Sequence, residues 1–261
     1  MSTQKTIGIT GSTGTLGRIM VQQLTELGYY LELFTGDLRN AAELDQWLLG
    51  KHLDAVIHLA ALVPVKQVMA SPAAALDINL GCTMNLLSSL TKHNQAPWFF
   101  YASSSHVYQP SSEALTETSP TGPFNAYGAT KLLGEQVANF YAQYVGTKVC
   151  IGRIFSFYHP TQHEDFLYPA LLKRLASEDL SQDFFLRGVK SQRDFLPAET
   201  VVELIIKLLA QEFVGTVNIA SGRSTTIADF AQSLSDQPLK IVTDEESNCV
   251  VANIDLLNTI I

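Results

Sequence analysis

The chain is poor in cysteine, and the few cysteines it has are far apart. Among its 261 residues there are three, Cys82, Cys150 and Cys249, and they form no C-x-x-C pair. This spacing excludes a disulfide framework and a zinc site of closely spaced thiolates. It predicts reduced thiols in a cytoplasmic protein, and we expect no metal site.

Basic clusters and long apolar runs are also lacking. Lysine and arginine total 17 against 25 acidic residues, which gives a net charge of −8. This balance argues against nucleic acid or an anionic membrane surface as a partner. No apolar run reaches the roughly 18 residues of a membrane span. The polar start of the chain, residues 1–6, lacks the apolar segment of a signal peptide.

What the sequence does contain is a glycine-rich turn, G11-S-T-G14-T-L-G17, between an apolar strand at 5–10 and a helix at about 16–27. In such a turn Gly11 permits the tight bend, Gly14 lets a pyrophosphate approach the backbone, and Gly17 lets the helix pack on the strand. The free N–H groups at the helix start then face the phosphate. The pattern favours a dinucleotide site over an ordinary strand-to-helix turn.

Strands and helices alternate along the first part of the chain. The apolar pattern predicts strands at 29–34, 55–61, 98–102 and 148–155, and helices at 41–49, 73–93 and 127–144. This alternation predicts a Rossmann-like α/β fold, a doubly wound parallel sheet. After about residue 156 the pattern loosens, with short strands at 184–186 and 217–220. We therefore expect a cofactor-binding domain at 1–156 and a small C-terminal substrate lobe at 157–261, interleaved with the sheet.

Tyr127 and Lys131 are four residues apart in Y-G-A-T-K, so on a helix they share one face. A lysine ammonium beside a tyrosine hydroxyl lowers the tyrosine pKa from about 10 towards neutrality, which suits a general acid/base. Alone, the spacing is common on solvated helix faces. With the glycine turn and the serine run at 103–105 upstream, it indicates a hydride-transfer site.

Together these features resemble the extended short-chain dehydrogenase/reductase family, in its NAD-dependent epimerase/dehydratase branch. The matching segments follow the family order through nearly the whole chain: T10-G-S-T-G-T-L-G17, G36-D37-L38, H58-L-A-A61, N79, S103-S-S-H-V-Y108, Y127-G-A-T-K131, R153-I-F-S-F-Y158, R193-D-F195 and N218-I-A-S-G222. The chain has one short strand, at 29–34, where most members have two. Ser156 stands where many members have asparagine.

The resemblance implies an NAD(P)-dependent oxidoreductase acting on a nucleotide-linked sugar. Ser104 would hydrogen-bond the substrate oxygen, Tyr127 would transfer the proton, and Lys131 would hold the cofactor ribose. The implied cofactor contacts are Gly11, Thr13, Gly14, Thr15, Leu16, Gly17, Asp37, Leu38, Leu59, Ala60, Ala61, Tyr127, Lys131 and Ile154. The implied substrate contacts are Ser104, His106, Ser156 and Arg193, the last at the nucleotide phosphates. We also expect a homodimer.

The reaction is left open by the resemblance. The leading interpretation is a reductase of a 4-keto sugar. The enzyme alternative is an epimerase that oxidises and re-reduces one carbon with tightly bound NAD. A 4,6-dehydratase is less favoured, because Ser105-His106 follow the serine where those enzymes have Asp-Glu. A hypothesis of another class is a non-catalytic NADP-sensing regulator, against which the Tyr127/Lys131 pair counts.

The choice between NADP and NAD depends on the end of the strand at 29–34. Asp37 comes 20 residues after Gly17, about where an acid that binds the adenosine ribose is expected. The resemblance suggests an adenine contact instead, and a helix N-cap is a third possibility. Arg18 and Arg39 could meet a 2′-phosphate. We therefore expect a slight preference for NADP.

His106 is a second candidate acid/base. It comes two residues after Ser104, and side chains two apart on an extended strand face the same side. Histidine titrates near neutrality, so His106 could move a proton at the carbon next to a keto group. The alternative is that it only hydrogen-bonds the sugar or closes the pocket.

Overall fold

The computed structural model describes residues 4–243 and 247–261. The polar residues 1–3 at the start of the chain, to which part of the signal-peptide argument applied, lie outside these ranges. Up to the fifth strand the elements are β1 (Thr6–Thr10), α1 (Thr15–Glu26), β2 (Tyr30–Phe34), α2 (Ala41–Leu48), β3 (Ala55–His58), α3 (Val65–Ala70), α4 (Pro72–Leu76), α5 (Cys82–Lys92), β4 (Trp98–Ser104), α6 (Ala126–Phe140) and β5 (Val149–Ile154).

The second part of the chain has shorter elements. They are β6 (Ser156–Tyr158), α7 (Leu167–Ser177), β7 (Asp183–Phe185), β8 (Gln192–Arg193), β9 (Phe195–Pro197), α8 (Ala198–Ala210), β10 (Gly215–Ile219), β11 (Thr225–Thr226), α9 (Ile227–Ser233), β12 (Lys240–Val242), β13 (Cys249–Val250) and α10 (Asp255–Ile260). Small pairings join β6 to β9, β7 to β12, and β8 to both β11 and β13.

Six parallel strands form the central sheet in the order β2-β1-β3-β4-β5-β10. From β1 the chain passes to β2 on one side and afterwards to β3 on the other. The carboxyl ends of β1 and β3 therefore border a topological switch point, where doubly wound sheets bind their ligands. Strand β10, which belongs to the sequence region expected as the lobe, completes the sheet, so the two regions interleave.

Both faces of the sheet are covered, which explains why its strands are apolar almost throughout. Ile57 and Phe100 pack with α1, α8 and α10 on one face. Val56 and Phe99 pack with α2, α5 and α6 on the other. Neighbouring residues of one strand thus contribute to opposite layers, as the two-residue period of a strand requires.

Two predicted elements differ from the structure. The strand predicted at 55–61 ends at His58, because the chain then turns over the sheet edge towards α3. The helix predicted at 73–93 is interrupted by a π-helical turn, Asp77–Gly81, between α4 and α5. Asn79 is buried in that turn, where its side chain accepts from Leu62 N–H at 2.7 Å and donates to Leu62 C=O at 2.9 Å. The π turn therefore holds the connection that follows β3.

A buried ion pair fixes α6 to the sheet. Arg153 on β5 donates to the two carboxylate oxygens of Glu135 on α6, from Nε at 3.0 Å and from Nη2 at 2.8 Å. Ser103 on β4 donates to the same carboxylate. Arg153 and Glu135 are 7% and 2% exposed. The helix that carries Tyr127 and Lys131 is thereby tied to both strands beneath it.

We predict that Arg153→Met lowers the free energy of unfolding by about 3–5 kcal/mol, because it leaves the Glu135 carboxylate buried and unpaired. Urea unfolding at pH 7 measures this. The double variant Glu135→Gln/Arg153→Met should recover most of the loss. The exposed pair Lys173–Glu164, whose side chains are 74% and 70% exposed, is the control. Lys173→Met should cost less than about 1 kcal/mol, and equal costs at both sites would contradict the prediction.

Candidate active site

A cleft of about 560 Å³ runs from the glycine turn, past the ends of β3, β4 and β5, to the shorter elements of the second part of the chain. Most of the residues predicted for the site line it: Gly11, Gly14, Thr15, Leu16, Gly17, Leu59, Ala61, Ser104, His106, Tyr127, Lys131, Ile154, Ser156 and Arg193. Four predicted cofactor residues, Thr13, Asp37, Leu38 and Ala60, are not among the lining residues.

The glycine turn has steric reasons for its glycines. Gly11 has φ +75°, and a Cβ there would lie 2.5 Å from the backbone nitrogen of Ala60. A Cβ on Gly17 would collide with the carbonyl oxygen of Gly11. Helix α1 begins at Thr15 after Gly14, which has no side chain to cap the first N–H groups. The turn therefore offers an open, uncapped helix start that fits a pyrophosphate.

Tyr127 and Lys131 are both buried on α6, at 9% and 2% exposure. Burial raises the pKa of Tyr127 to about 12, and a side-chain hydrogen bond with Ser104 acts in the opposite direction. Burial lowers the pKa of Lys131 to about 7, opposed by Glu135. The lowering of the tyrosine pKa by Lys131 expected from the sequence is therefore not found. Loss of solvation is the largest cause of the raised pKa of Tyr127, and Lys131 does not contribute to it.

Neighbouring residues orient this pair. The Lys131 Nζ lies 4.2 Å from the centroid of the Tyr101 ring.

Both ring nitrogens of His58, at the end of β3, have hydrogen-bond partners. Its Nδ1 lies 2.6 Å from the Thr10 hydroxyl and its Nε2 3.0 Å from the Thr83 hydroxyl. Burial and Lys131 lower the pKa of His58 to about 3. His58 is thus a neutral buried histidine.

Ser104 and His106 lie next to Tyr127. The Ser104 hydroxyl accepts from the His106 backbone N–H at 3.2 Å, in the short turn at 105–107 that follows β4. The ring of His106 stands edge-on to that of Tyr127, with centroids 5.7 Å apart. Burial and the nearby Arg193 lower the pKa of His106 to about 4. The expectation that His106 titrates near neutrality is therefore wrong for this environment.

The end of the cleft away from the glycine turn carries Arg193 and several aromatic side chains. Arg193 donates to the backbone carbonyls of Gln192 at 2.8 Å and Asn248 at 3.2 Å. Within residues 4–243 and 247–261 it forms no ion pair with a carboxylate. Phe195 stacks on Phe230 with centroids 4.0 Å apart. This arrangement suits an anionic group next to a flat ring.

Asp194, between Arg193 and Phe195, has a structural role. It is fully buried and accepts from Ser221 N–H at 2.8 Å, from the Ser221 hydroxyl at 2.6 Å and from Gly222 N–H at 2.7 Å. These bonds tie the segment after β10 to the segment that lines the cleft. Sequence reasoning missed the aromatic wall, whose members come from four separate segments: Tyr158, Phe166, Tyr168, Phe195 and Phe230.

The region after β2 differs from expectation. Asp37 is exposed and pairs with Arg39, whose Nε lies 2.9 Å from Oδ1 and whose Nη2 lies 2.7 Å from Oδ2. Arg39 thereby lowers the pKa of Asp37 to about 2. The N-cap of α2 is Asn40, which accepts from Ala42 N–H at 3.1 Å, so the N-cap role considered for Asp37 is wrong.

Arg18 and Leu38, which were considered as cofactor contacts, interact with other parts of the protein. Arg18 donates to Thr13 C=O at 2.6 Å and to the Thr161 hydroxyl at 2.9 Å, which connects the glycine turn to the loop after β6. Leu38 is buried in the core layer formed by α2 and α5.

In the described part of the chain, no three His, Cys, Asp or Glu side chains are grouped as metal ligands. None of the described helices combines the length and apolar character needed to cross a membrane.

Comparison with known proteins adds sequence relatives. The family model described as GDP-mannose 4,6 dehydratase matches residues 10–255. GDP-6-deoxy-D-mannose reductase of Pseudomonas aeruginosa is 31% identical over 201 residues, covering 73% of this chain and 66% of the relative. The uncharacterized UDP-glucose epimerase YtcB of Bacillus subtilis is 30% identical over 209 residues, covering 78% and 64%. The chain therefore matches just under two thirds of the length of each of these two relatives.

Solved structures share the whole architecture. RMD from Pseudomonas aeruginosa, in complex with NADPH, has a TM-score of 0.89 and 25% identity, covering 98% of this chain and 92% of that one. UDP-glucose 4-epimerase of Thermus thermophilus, in complex with NAD, has a TM-score of 0.85 at 20% identity, covering 97% and 92%, and shows the fold alone. The predicted Rossmann-like fold and the resemblance are confirmed, and the chain belongs to the GDP-mannose 4,6-dehydratase family of extended short-chain dehydrogenases/reductases.

Proposed function

We propose that the protein is an NAD(P)-dependent oxidoreductase that reduces a keto group of a nucleotide-linked sugar. One observation carries this proposal. A single cleft contains the glycine turn with its uncapped helix start, the protonated Tyr127 with Ser104 and Lys131, and Arg193 at the far end. Its similarity to GDP-6-deoxy-D-mannose reductase and to RMD supports it.

Each side chain has a task in such a reduction. A reduced nicotinamide held in the cleft would supply the hydride. Tyr127, which hydrogen-bonds with Ser104, would give its proton to the carbonyl oxygen, and Ser104 would hydrogen-bond the same oxygen. Lys131, held over the Tyr101 ring, would hold the cofactor ribose. Arg193 binds the diphosphate of the substrate, since guanidinium groups recognise phosphate oxygens in pairs.

An epimerase with tightly bound NAD is the second candidate, supported by relatives named UDP-glucose 4-epimerase. Such an enzyme must first remove the hydroxyl proton of its substrate. A tyrosine with a pKa of about 12 donates a proton at neutral pH more readily than it accepts one. A reduction starts with this protonated form, and the similarity to GDP-6-deoxy-D-mannose reductase keeps the reductase as the leading candidate. The non-catalytic regulator is disfavoured by the assembled Ser104, Tyr127 and Lys131.

We predict that Tyr127→Phe lowers kcat by about 100-fold or more, because the proton donor is lost while the cofactor contacts remain. Oxidation of NADPH and NADH, followed by absorbance with a panel of keto-sugar nucleotides, measures kcat, and cofactor titration should give an unchanged Kd. Tyr30→Phe, at a tyrosine 61% exposed on β2, should match wild type. Near wild-type turnover in Tyr127→Phe would mean that the proton comes from elsewhere.

The same assay decides between the two enzyme candidates. A reductase consumes stoichiometric reduced cofactor with a keto sugar. An epimerase interconverts two sugars without net oxidation of added cofactor and purifies with cofactor bound. Failure of wild type to oxidise NADPH or NADH with any keto sugar in the panel would reject the reductase.

We further propose a preference for NADP over NAD. Strand β2 ends at Phe34 and is followed by an exposed Thr35, so no carboxylate stands at the strand end. The first acid after the strand, Asp37, is paired with Arg39 through two hydrogen bonds. The NADPH bound to RMD supports this choice.

Arg39→Ala should weaken NADPH binding at least about tenfold and leave NADH binding nearly unchanged, because it removes a guanidinium and exposes the carboxylate of Asp37 to the 2′-phosphate. Titration of both cofactors at one ionic strength measures the two Kd values. The double variant Asp37→Asn/Arg39→Ala separates repulsion by Asp37 from loss of the arginine contact. Tighter binding of NADH than NADPH by wild type would refute the preference.

We propose that the protein is a homodimer in the cytoplasm. Exposed apolar side chains follow one stripe of α6 and its extension, with Leu133, Phe140 and Tyr144 spaced seven and four residues apart. Met84 on the adjacent α5 is 48% exposed. A second copy of the chain would cover this stripe.

The three free thiols support a reducing compartment such as the cytoplasm.

Sedimentation equilibrium tests the dimer. Phe140→Glu should shift the protein to monomer, because a carboxylate would be buried at the contact. Leu27→Glu, at an equally exposed leucine that ends α1, should leave the dimer intact. A monomeric wild type at micromolar concentration would reject the proposal.

A further inference from the structure

We propose that Asn125 is a positioning residue that fixes His106 as a hydrogen-bond donor to a substrate oxygen beside the reacting carbon. This assignment rests on the proposed function and names a specificity contact within it. It concerns the two residues that link the end of β4 to the first turn of α6.

The orientation of the Asn125 amide is set by the backbone. Asn125 is the N-cap of α6, and its Oδ1 accepts from the backbone N–H of Gly128 at 2.8 Å. A backbone N–H can only donate, so the oxygen of the amide must face Gly128. The nitrogen of the same amide, Nδ2, therefore points the other way. It lies 3.0 Å from Nδ1 of His106.

That contact selects one form of the imidazole. The Asn125 Nδ2 has only protons to offer, so the His106 Nδ1 must accept and carry no proton of its own. In the neutral ring the proton then resides on Nε2. His106 lines the cleft, and with Nδ1 committed to Asn125 it is Nε2–H that remains for a ligand.

The ring is held in this position from several sides. Phe124 and Tyr127 contact it with centroids at 4.9 and 5.7 Å. A Cβ on Gly128 would collide with the His106 carbonyl oxygen, so the turn at 105–107 sits directly on the start of α6. The backbone of His106 is therefore fixed against α6, and Phe124 and Tyr127 flank its ring.

The charged and titratable groups facing His106 keep it neutral. They are Arg193 from β8 and the protonated Tyr127 from α6, while Ser104 at the end of β4 is uncharged. The cation and the burial both disfavour an imidazolium, in line with the pKa of about 4. Over the working pH range the ring is a neutral donor.

This form limits the chemistry. A neutral imidazole protonated at Nε2 cannot take a further proton at Nε2, and its only basic nitrogen, Nδ1, faces the Asn125 amide. His106 therefore does not remove a proton from carbon. It donates to a hydroxyl or keto oxygen of the sugar next to the oxygen that meets Ser104 and Tyr127. The expected reaction is hydride transfer without exchange of the neighbouring C–H.

The first test needs no substrate. The protein is labelled with ¹⁵N-histidine, and His106→Gln identifies the His106 resonances among the six histidines. In wild type at pH 7, Nδ1 should give the shift of an unprotonated nitrogen and Nε2 that of a protonated one. In Asn125→Asp the carboxylate can still cap Gly128 N–H but accepts from His106, so the proton should move to Nδ1. A proton on Nδ1 in wild type would overturn the proposal.

The second test measures kcat/KM as a function of pH for Asn125→Asp and for wild type. At each pH the value for Asn125→Asp is divided by the wild-type value, so the titration of groups that both proteins share, such as Lys131, cancels. The added carboxylate raises the pKa of His106. Above that pKa the ring presents an acceptor, and the ratio should fall about tenfold or more. Below it the imidazolium regains Nε2–H, so the ratio should recover as the pH falls.

His106→Gln provides the matched background, because glutamine offers an N–H donor and has no tautomers. In that background Asn125→Asp should introduce no pH dependence, whereas a merely structural role of Asn125 would give the same loss in both backgrounds at every pH. A ratio independent of pH in the histidine background would overturn the proposal. So would solvent deuterium incorporation by wild type at the carbon next to the keto group. If wild type reduces no keto sugar, the proposed function fails, and the ¹⁵N measurement still decides the role of Asn125.

Discussion

The close packing of α6 on β4 and β5 is the constraint on which the site depends. Gly128 and Gly134 sit where a Cβ would collide with the His106 carbonyl and with the Tyr101 hydroxyl. One turn beyond Lys131, the Glu135 carboxylate is held by Arg153 and Ser103. The helix can neither slide nor lift. The distances between strand residues and helix residues in the cleft are therefore set by close packing at the two glycines and by this ion pair.

Burial, more than charge pairing, sets the protonation states in this cleft. Tyr127, Lys131 and His106 each shift towards the neutral form, and loss of solvation is the largest cause for all three. The lysine that would favour a phenolate is itself only partly charged at neutral pH. In the proposed reduction Tyr127 would start in its neutral form, so the buried environment is compatible with that proposal.

Much of the sheet could be predicted from sequence because its signals are local. Apolar runs located β1 to β5 within a few residues, and glycine spacing located the turn before α1. Tertiary contacts decided what was missed. The strand at 55–61 stops at His58 because the chain leaves the sheet there, and β10 joins the sheet from a segment expected in the lobe. Neither the end of β3 nor the pairing of β10 with β5 can be predicted from the residues near it in the sequence.

The same distinction holds for the site. Ser104, Tyr127, Lys131 and Arg193 were found because short segments carry them, and they line one cleft. The paired contact of Asp37 with Arg39 and the pKa directions of Tyr127 and His106 were not, because they depend on solvent access and on side-chain angles.

The two ends of the cleft are held in place by different kinds of contact. At the end that holds Tyr127 and Lys131, the groups lie on one helix and one strand held together by close packing and by the Glu135–Arg153 ion pair. At the other end, Arg193 and Phe195 belong to two- and three-residue strands that Asp194 ties to Ser221 and Gly222. Phe230 reaches them from α9. Arg193, Phe195 and Phe230 take no part in the glycine contacts and the ion pair that hold α6 on β4 and β5. The two ends of the cleft are therefore stabilised by separate sets of contacts.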